Sequence, residues 1–250
     1  YTVIRSKVPS MVDRWHGRSC LIGPYNPATA SVAFEEAPLT GAIGQAVKQL
    51  RDLGVGAHYG RWLVTGRPNV VLLDYLSIFN RLHEIKFYLW KNHHITLPAD
   101  DELMNNVVAF GELVRMFLWA VSAKEAPRRT IVAHFHEWMA GTAIPDLRRE
   151  SWPGAIVFTT HATILGRYLA MNSPVFYDHL PFFDANKEAH HYNVQGQHGI
   201  EKAAAHGSHV FSTVSDVTAL ECQYLLGRKP DVLLPNGLNI SRFERLHEMQ

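Results

Sequence analysis

A chain of 250 residues and 28.3 kDa can bury a full core, as one large α/β domain or two small ones. Hydrophobic residues at 47% against charged ones at 19% describe a globular protein, and no apolar run reaches the ~20 residues that a membrane span needs. Lys+Arg 24 against Asp+Glu 23 leaves a net charge of +1, which excludes a global basic field for nucleic acid, so any polyanion must be met locally.

Tyr1-Thr2-Val3-Ile4 reads as a strand that begins on the first residue. Ser19–Gly23 is a second strand, ended by Gly23-Pro24 and the turn-rich Tyr25-Asn26-Pro27. Its Cys20 and the distant Cys222 are too few for a secreted disulfide framework, and no signal-peptide pattern opens the chain, so a reducing cytoplasm is the expected location. From Leu39 to Leu53, the apolar residues Ile43, Ala46, Val47, Leu50 and Leu53 fall at helical spacing. The following glycines, Gly54, Gly56 and Gly60, superficially match a dinucleotide fingerprint, but a helix precedes them and a strand-like run, His58–Val64, follows, which reverses the motif's context.

Asn69–Asp74 (NVVLLD) is the clearest buried strand, with Asp74 expected to cap the helix after it. Helical patterns follow over Leu76–Trp90 and Glu102–Ala123. Thr130–Ala133 and Ala155–Thr159 are short β-branched strands, each followed by a helical pattern, which is the grammar of a parallel sheet. Phe176–Asn193 has no readable periodicity. Ile200–His206 is helical, His209–Val214 is a strand, Ser215 caps a helix through Leu226, and Val232–Leu234 is a last short strand. The pairs His93-His94 and His190-His191 lie in polar, loop-like sequence and receive no role.

Polar clusters at strand ends mark the candidate site, because ligands of parallel sheets sit beyond the carboxyl ends of the strands. His134 and His136, two apart on a strand, share a face and with Glu137 have the look of metal ligands, but spacing supplies no third or fourth ligand. Hydrogen-bonded histidines are therefore expected there, and no metal. Glu137 either complements a helix N-terminus or serves the site. His161 leaves a strand and Arg167 lies early in the next helix, where both can meet a ligand phosphate; a surface salt bridge is the other reading of Arg167.

Six strings narrow these readings: Tyr59-Gly-Arg-Trp-Leu63, Val132-Ala-His-Phe-His-Glu-Trp138, Phe158-Thr-Thr-His-Ala-Thr163 continuing to Leu165-Gly-Arg-Tyr168, Ala203-Ala-Ala-His206, Arg228-Lys-Pro-Asp231 and Pro235-Asn-Gly-Leu-Asn239. Together they closely resemble the eukaryote-type glycogen synthases, retaining glucosyltransferases of the GT-B fold. The likeness runs from Tyr1 to Gln250 and departs at Tyr192–Gly199, where the animal and yeast enzymes carry a Tyr-His-Arg-Tyr-like run; that departure suggests a prokaryotic relative.

The resemblance implies a doubly wound, Rossmann-like parallel α/β domain over residues 1–234, the N-terminal half of a GT-B enzyme, with 235–250 as hinge and start of the interdomain segment. It implies transfer of glucose from UDP-glucose to the 4-hydroxyl at the non-reducing end of an α-1,4-glucan or glycogen, with retention and with no cofactor. His161 would contact the donor sugar, Arg167 the donor diphosphate and Glu137 the sugar or acceptor pocket, with Asn236 also substrate-binding. His247, Glu248 and Gln250 match positions where regulated members hold glucose 6-phosphate, although the start of an amphipathic helix explains them equally. The family's Gly-Gly pair and its second domain fall outside the chain, so a fragment inactive by itself is expected. A sucrose- or starch-synthase-like transferase, a glucan-binding module without turnover and a metal-dependent hydrolase are the competing readings. A homo-oligomer is left open as a further partner.

Overall fold

The β-branched runs become strands, and connection lengths decide how they pair. The computed structural model describes residues 2–126 and 129–237. β1 (Cys20–Pro24), β2 (Phe34–Glu36), β3 (Gly56–Trp62) and β4 (Asn69–Asp74) form one sheet in the order β1-β4-β3-β2. β1 is parallel to β4, whereas β3 is antiparallel to both its neighbours. The link between β3 and β4, residues 63–68, is too short for a parallel crossover and returns the chain as a hairpin. β5 (Val132–His136), β6 (Ala155–Thr160), β7 (Val210–Thr213) and β8 (Val232–Leu233) form a second sheet, all parallel and in chain order. The fold is α/β as expected, with one all-parallel sheet and one mixed sheet that the sequence reading did not separate.

Helix Glu102–Glu125 joins the two halves. Asp101 caps it by accepting the Met104 N–H at 2.9 Å. Among the described residues it is the one helix long and apolar enough to cross a membrane, but 61% of its apolar window is buried, as in a core helix. It packs on helix Gly41–Asp52 and β4 on one side and on helices Glu137–Gly141 and Ile144–Arg149 on the other. One apolar cluster therefore runs through both sheets, from Val71 and Leu73 to Phe158 and Phe211.

Several expectations met different structure. Thr2–Trp15 is a helix, so the strand read over Tyr1–Ile4 is wrong for its described residues; Ile4, Val8, Met11 and Val12 recur at helical spacing, and Val8 is buried. Leu76–Trp90 divides into a 3-10 segment, Tyr75–Arg81, and helix Leu82–His93, with Asp74 accepting the Leu76 N–H at 3.0 Å as a cap should. His134 and His136 lie within β5 rather than after it. His93 ends a helix, and His190 and His191 are helical in Ala185–His191, so neither pair lies wholly in a loop. Phe176–Asn193 folds into helices Phe176–His179 and Ala185–His191 around a 3-10 turn, Leu180–Phe182. Its Phe176, Leu180 and Ala189 close a second cluster with Leu165, Leu169, Val194 and Leu225. Gly60 lies in β3, where a Cβ would run into the Glu35 carbonyl of β2, so close strand approach explains that glycine.

Phe158 is fully buried on β6 and stacks on Phe211 at 5.7 Å. Phe158→Ala should therefore destabilise the fold by about 3–5 kcal/mol, transfer and cavity costs together. Urea unfolding measures this, and a loss below about 1 kcal/mol would show that the sheet face repacks.

Candidate functional site

The parallel register puts a row of polar side chains on one face of the second sheet. His136 is level with Thr159, and Thr159 with Ser212. His134 Nε2 lies 2.7 Å from Thr159 Oγ1, which lies 2.6 Å from Ser212 Oγ. His136 stacks on His134 at 4.2 Å, and its Nδ1 is 3.4 Å from His161 Nε2. His161 Nδ1 is in turn 3.4 Å from Asn236 Nδ2. An amide nitrogen donates, so Nδ1 of His161 accepts and its Nε2–H points to His136.

Burial disfavours charge along this row. It pulls His134 down to about 4, with help from Lys7 and His161, and His136 down to about 3, with help from His134 and Lys7. His161 is lowered as well, by burial first and then by Lys7 and Arg167 among others. Near neutral pH the row is a set of uncharged donors and acceptors. Among the described residues no group of three or more His, Cys, Asp or Glu side chains is arranged to hold a metal ion.

Glu137 connects the ends of β5 and β6: its Oε1 accepts the His161 N–H at 3.1 Å. Its backbone has a φ of 66°, in the left-handed region that non-glycine residues rarely adopt. Burial raises the Glu137 carboxyl, opposed by the His161 N–H and by Arg167. Arg167, on the first turn of helix Ile164–Asn172, is exposed, and its guanidinium makes no hydrogen bond or ion pair with a described residue, so the salt-bridge reading is not realised there. Its charge acts on both Glu137 and His161.

Two carboxylates beneath this turn escaped the sequence reading. Glu201 is fully buried, with Oε1 accepting from Thr160 Oγ1 at 2.7 Å and Oε2 from the Ile164 N–H at 2.8 Å. Glu221 Oε2 accepts from Thr163 Oγ1 at 2.8 Å, and its Oε1 from the Tyr177 hydroxyl at 3.0 Å. Gly166 leaves them room, since a Cβ there would lie 2.5 Å from Glu221 Oε2. Burial pushes Glu201 up to about 7. The signal was its place in helix Gln195–Gly207, on the same face as the buried Ala204 and Ala205, where an acidic residue needs a partner.

Of the expected site residues, the structure thus brings His161, Glu137 and Asn236 together, with Arg167 beside them. His247, Glu248 and Gln250 lie outside the described residues.

A family profile described as glycogen synthase matches residues 1–250. The chain is 42% identical over 251 residues to the glycogen [starch] synthase of Neurospora crassa, covering 100% of this chain and 35% of that one. It is 40% identical to the liver glycogen [starch] synthase of Homo sapiens over 100% of this chain and 36% of the relative. It is 39% identical to glycogen [starch] synthase isoform 1 of Saccharomyces cerevisiae over 100% of this chain and 37% of the relative. The chain spans about a third of the length of these curated relatives.

The carboxyl of Glu201, ordinarily near 4.5, is raised to about 7 in the fold, so within that window the folded state holds a proton that the unfolded chain has lost. Its contribution to stability is full below pH 4.5 and is lost as pH rises through about 7. His134 and His136 act in the opposite sense, losing stability as pH falls from 6.5 through about 4 and about 3. Comparison with Glu201→Gln, which keeps one acceptor and one hydrogen-bonding partner, isolates the first effect: the variant should gain on the wild type as pH rises. A pH-independent difference in unfolding free energy would refute it. At Glu137, replacement by Gly should leave the protein more stable than replacement by Ala by about 1 kcal/mol, because both lose the carboxylate and only alanine retains the left-handed cost. Thermal unfolding of the two variants provides the comparison.

Proposed function

The chain belongs to the glycogen synthase family, and from that premise we propose that it forms the N-terminal, GT-B-type part of an enzyme moving glucose from UDP-glucose to the 4-hydroxyl of an α-1,4-glucan, with retention at the anomeric carbon. Residues 1–234 are read as the domain and 235–250 as the path into the hinge. The observation that carries this reading is the convergence of Glu137, His161 and Asn236, from separate segments, beside an exposed Arg167 whose guanidinium has no hydrogen-bond or ion-pair partner among the described residues.

As the bond from the anomeric carbon to the diphosphate breaks, the electron pair leaves with UDP and the sugar gains positive charge. Arg167 is suited to the diphosphate, where its planar donors meet growing negative charge. The largely neutral His161 can hydrogen-bond a sugar hydroxyl without repelling the developing cation. Glu137 fixes His161 through its backbone N–H and puts a carboxylate near the sugar or acceptor pocket. Asn236 orients the imbalanced imidazole by donating to Nδ1. The position of these groups at the carboxyl ends of the parallel strands β5 and β6, where ligands of such sheets sit, supports binding there.

In the full-length protein, Arg167→Ala should lower kcat/KM for UDP-glucose by about a hundred- to a thousandfold, the usual effect of losing one preorganised electrostatic group. His161→Ala should act chiefly on kcat if its contact tightens as the sugar flattens. Incorporation of radiolabelled glucose into glycogen reads both. Unchanged kcat/KM in a folded variant removes that residue from the site, and glycogen binding without UDP release by the wild type would replace a transferase with a binding module.

A further inference from the structure

A cavity of about 530 Å³ opens on the side of helix Gln195–Gly207 away from Thr160 and Ile164. Gln195, His198, Lys202 and His206 line it at spacings of three and four, which is one face of the helix over three turns. The opposite walls include His94, just past helix Leu82–His93, and His190 of helix Ala185–His191. Among the described residues, no aspartate or glutamate lines it. His206 is committed to the Leu226 carbonyl at 2.9 Å, and His93, which also lines the cavity, to Asp146 at 2.9 Å.

His198 is the telling residue. It is 3% exposed, it lines the cavity, and neither ring nitrogen has a hydrogen-bond partner among the described residues. A buried imidazole left so is costly unless something fills the space and bonds to it. The Gln195 side-chain oxygen is also buried without a partner among the described residues. Lys202 supplies a half-buried cation next to His198. Val194 provides no side-chain cap, and the first turn of helix Gln195–Gly207 carries no acidic residue, so its free N–H groups add to a positive field. The histidines and lysine, the uncapped turn and the lack of carboxylates all favour an anion.

We propose that this cavity is a binding site for a small phosphate-bearing anion, held by Lys202 and His198 with His94 and His190 at its mouth. The site is separate from the transfer reaction proposed above, and its test does not depend on turnover. Burial, then Lys202, hold free His198 down to about 4. The groups facing it are Lys202 and His206 on its own helix, His93 and His94 across the cavity, and His190 on the third side. An anion against its ring favours the imidazolium, so the His198 pKa should rise on binding.

The full chain is titrated with inorganic phosphate, with a sugar monophosphate and with neutral maltose, while histidine proton resonances are followed by NMR. Phosphate should bind saturably and raise the His198 pKa, and maltose should do neither. Tighter binding of the ester identifies a phosphoester ligand, and equal affinity identifies free phosphate; both support the site. Lys202→Met should weaken binding on the order of tenfold, as expected for one charge-assisted hydrogen bond. His198→Phe, which replaces the unpartnered ring by an apolar one, should abolish binding while leaving thermal stability equal or higher. Loss of fold in that variant leaves Lys202→Met as the deciding measurement. An unmoved His198 at millimolar phosphate, phosphate affinity unchanged in Lys202→Met, or binding of maltose in place of phosphate would overturn the proposal.

Discussion

The candidate site depends on how two buried carboxylates hold one turn of chain. Residues 160–164 leave the end of β6 and enter helix Ile164–Asn172, and their amides and hydroxyls would be unsatisfied there without acceptors. Glu201 takes Thr160 and Ile164, and Glu221 takes Thr163, while Thr163 accepts the Gly166 N–H as the helix cap. No Lys or Arg forms an ion pair with Glu201 among the described residues, so its charge is supported by hydrogen bonds alone. That is weak compensation for full burial, and it explains a carboxyl poised near neutrality. His161 and Arg167 inherit their positions from this turn.

The same helix that supplies Glu201 also lines the histidine-rich cavity with its other face. Its small residues make both roles sterically possible. Ala204 packs against Gly141 so closely that a Cβ on Gly141 would lie 2.7 Å from the Ala204 methyl. Close packing on that side fixes the helix against helix Glu137–Gly141 and leaves its polar face to the cavity.

What the sequence disclosed followed from local physics. β4 was legible because NVVLLD is a buried run ended by a capping Asp74, and helix Glu102–Glu125 because its apolar residues repeat over six turns. Ser215 capped as expected, accepting the Thr218 N–H at 3.2 Å, although the helix after it changes to a π turn at Cys222–Leu226. The first helix was hidden because Val3 and Ile4 favour strands locally, and only packing of Val8 reveals the longer period. The antiparallel β3 and the insert over Phe176–Asn193 depend on partners distant in sequence. In the site, His161 and Glu137 could be picked out as strand-end polar residues and Arg167 as a cation early in the next helix, but Glu201 and Glu221 resemble ordinary helical acids until the fold buries them.

The left-handed backbone at Glu137 has an evolutionary consequence. An L-residue with a long side chain is an expensive occupant of that conformation, and glycine or asparagine would fold there at lower cost. The backbone cost therefore acts against glutamate at this position, and what its carboxylate does, the hydrogen bond from the His161 N–H included, opposes that pressure. In a lineage that kept the fold but no longer needed the site, position 137 would be among the first to drift, and toward glycine or asparagine rather than at random. The identity of this one residue thus records the balance between its backbone cost and what its carboxylate holds.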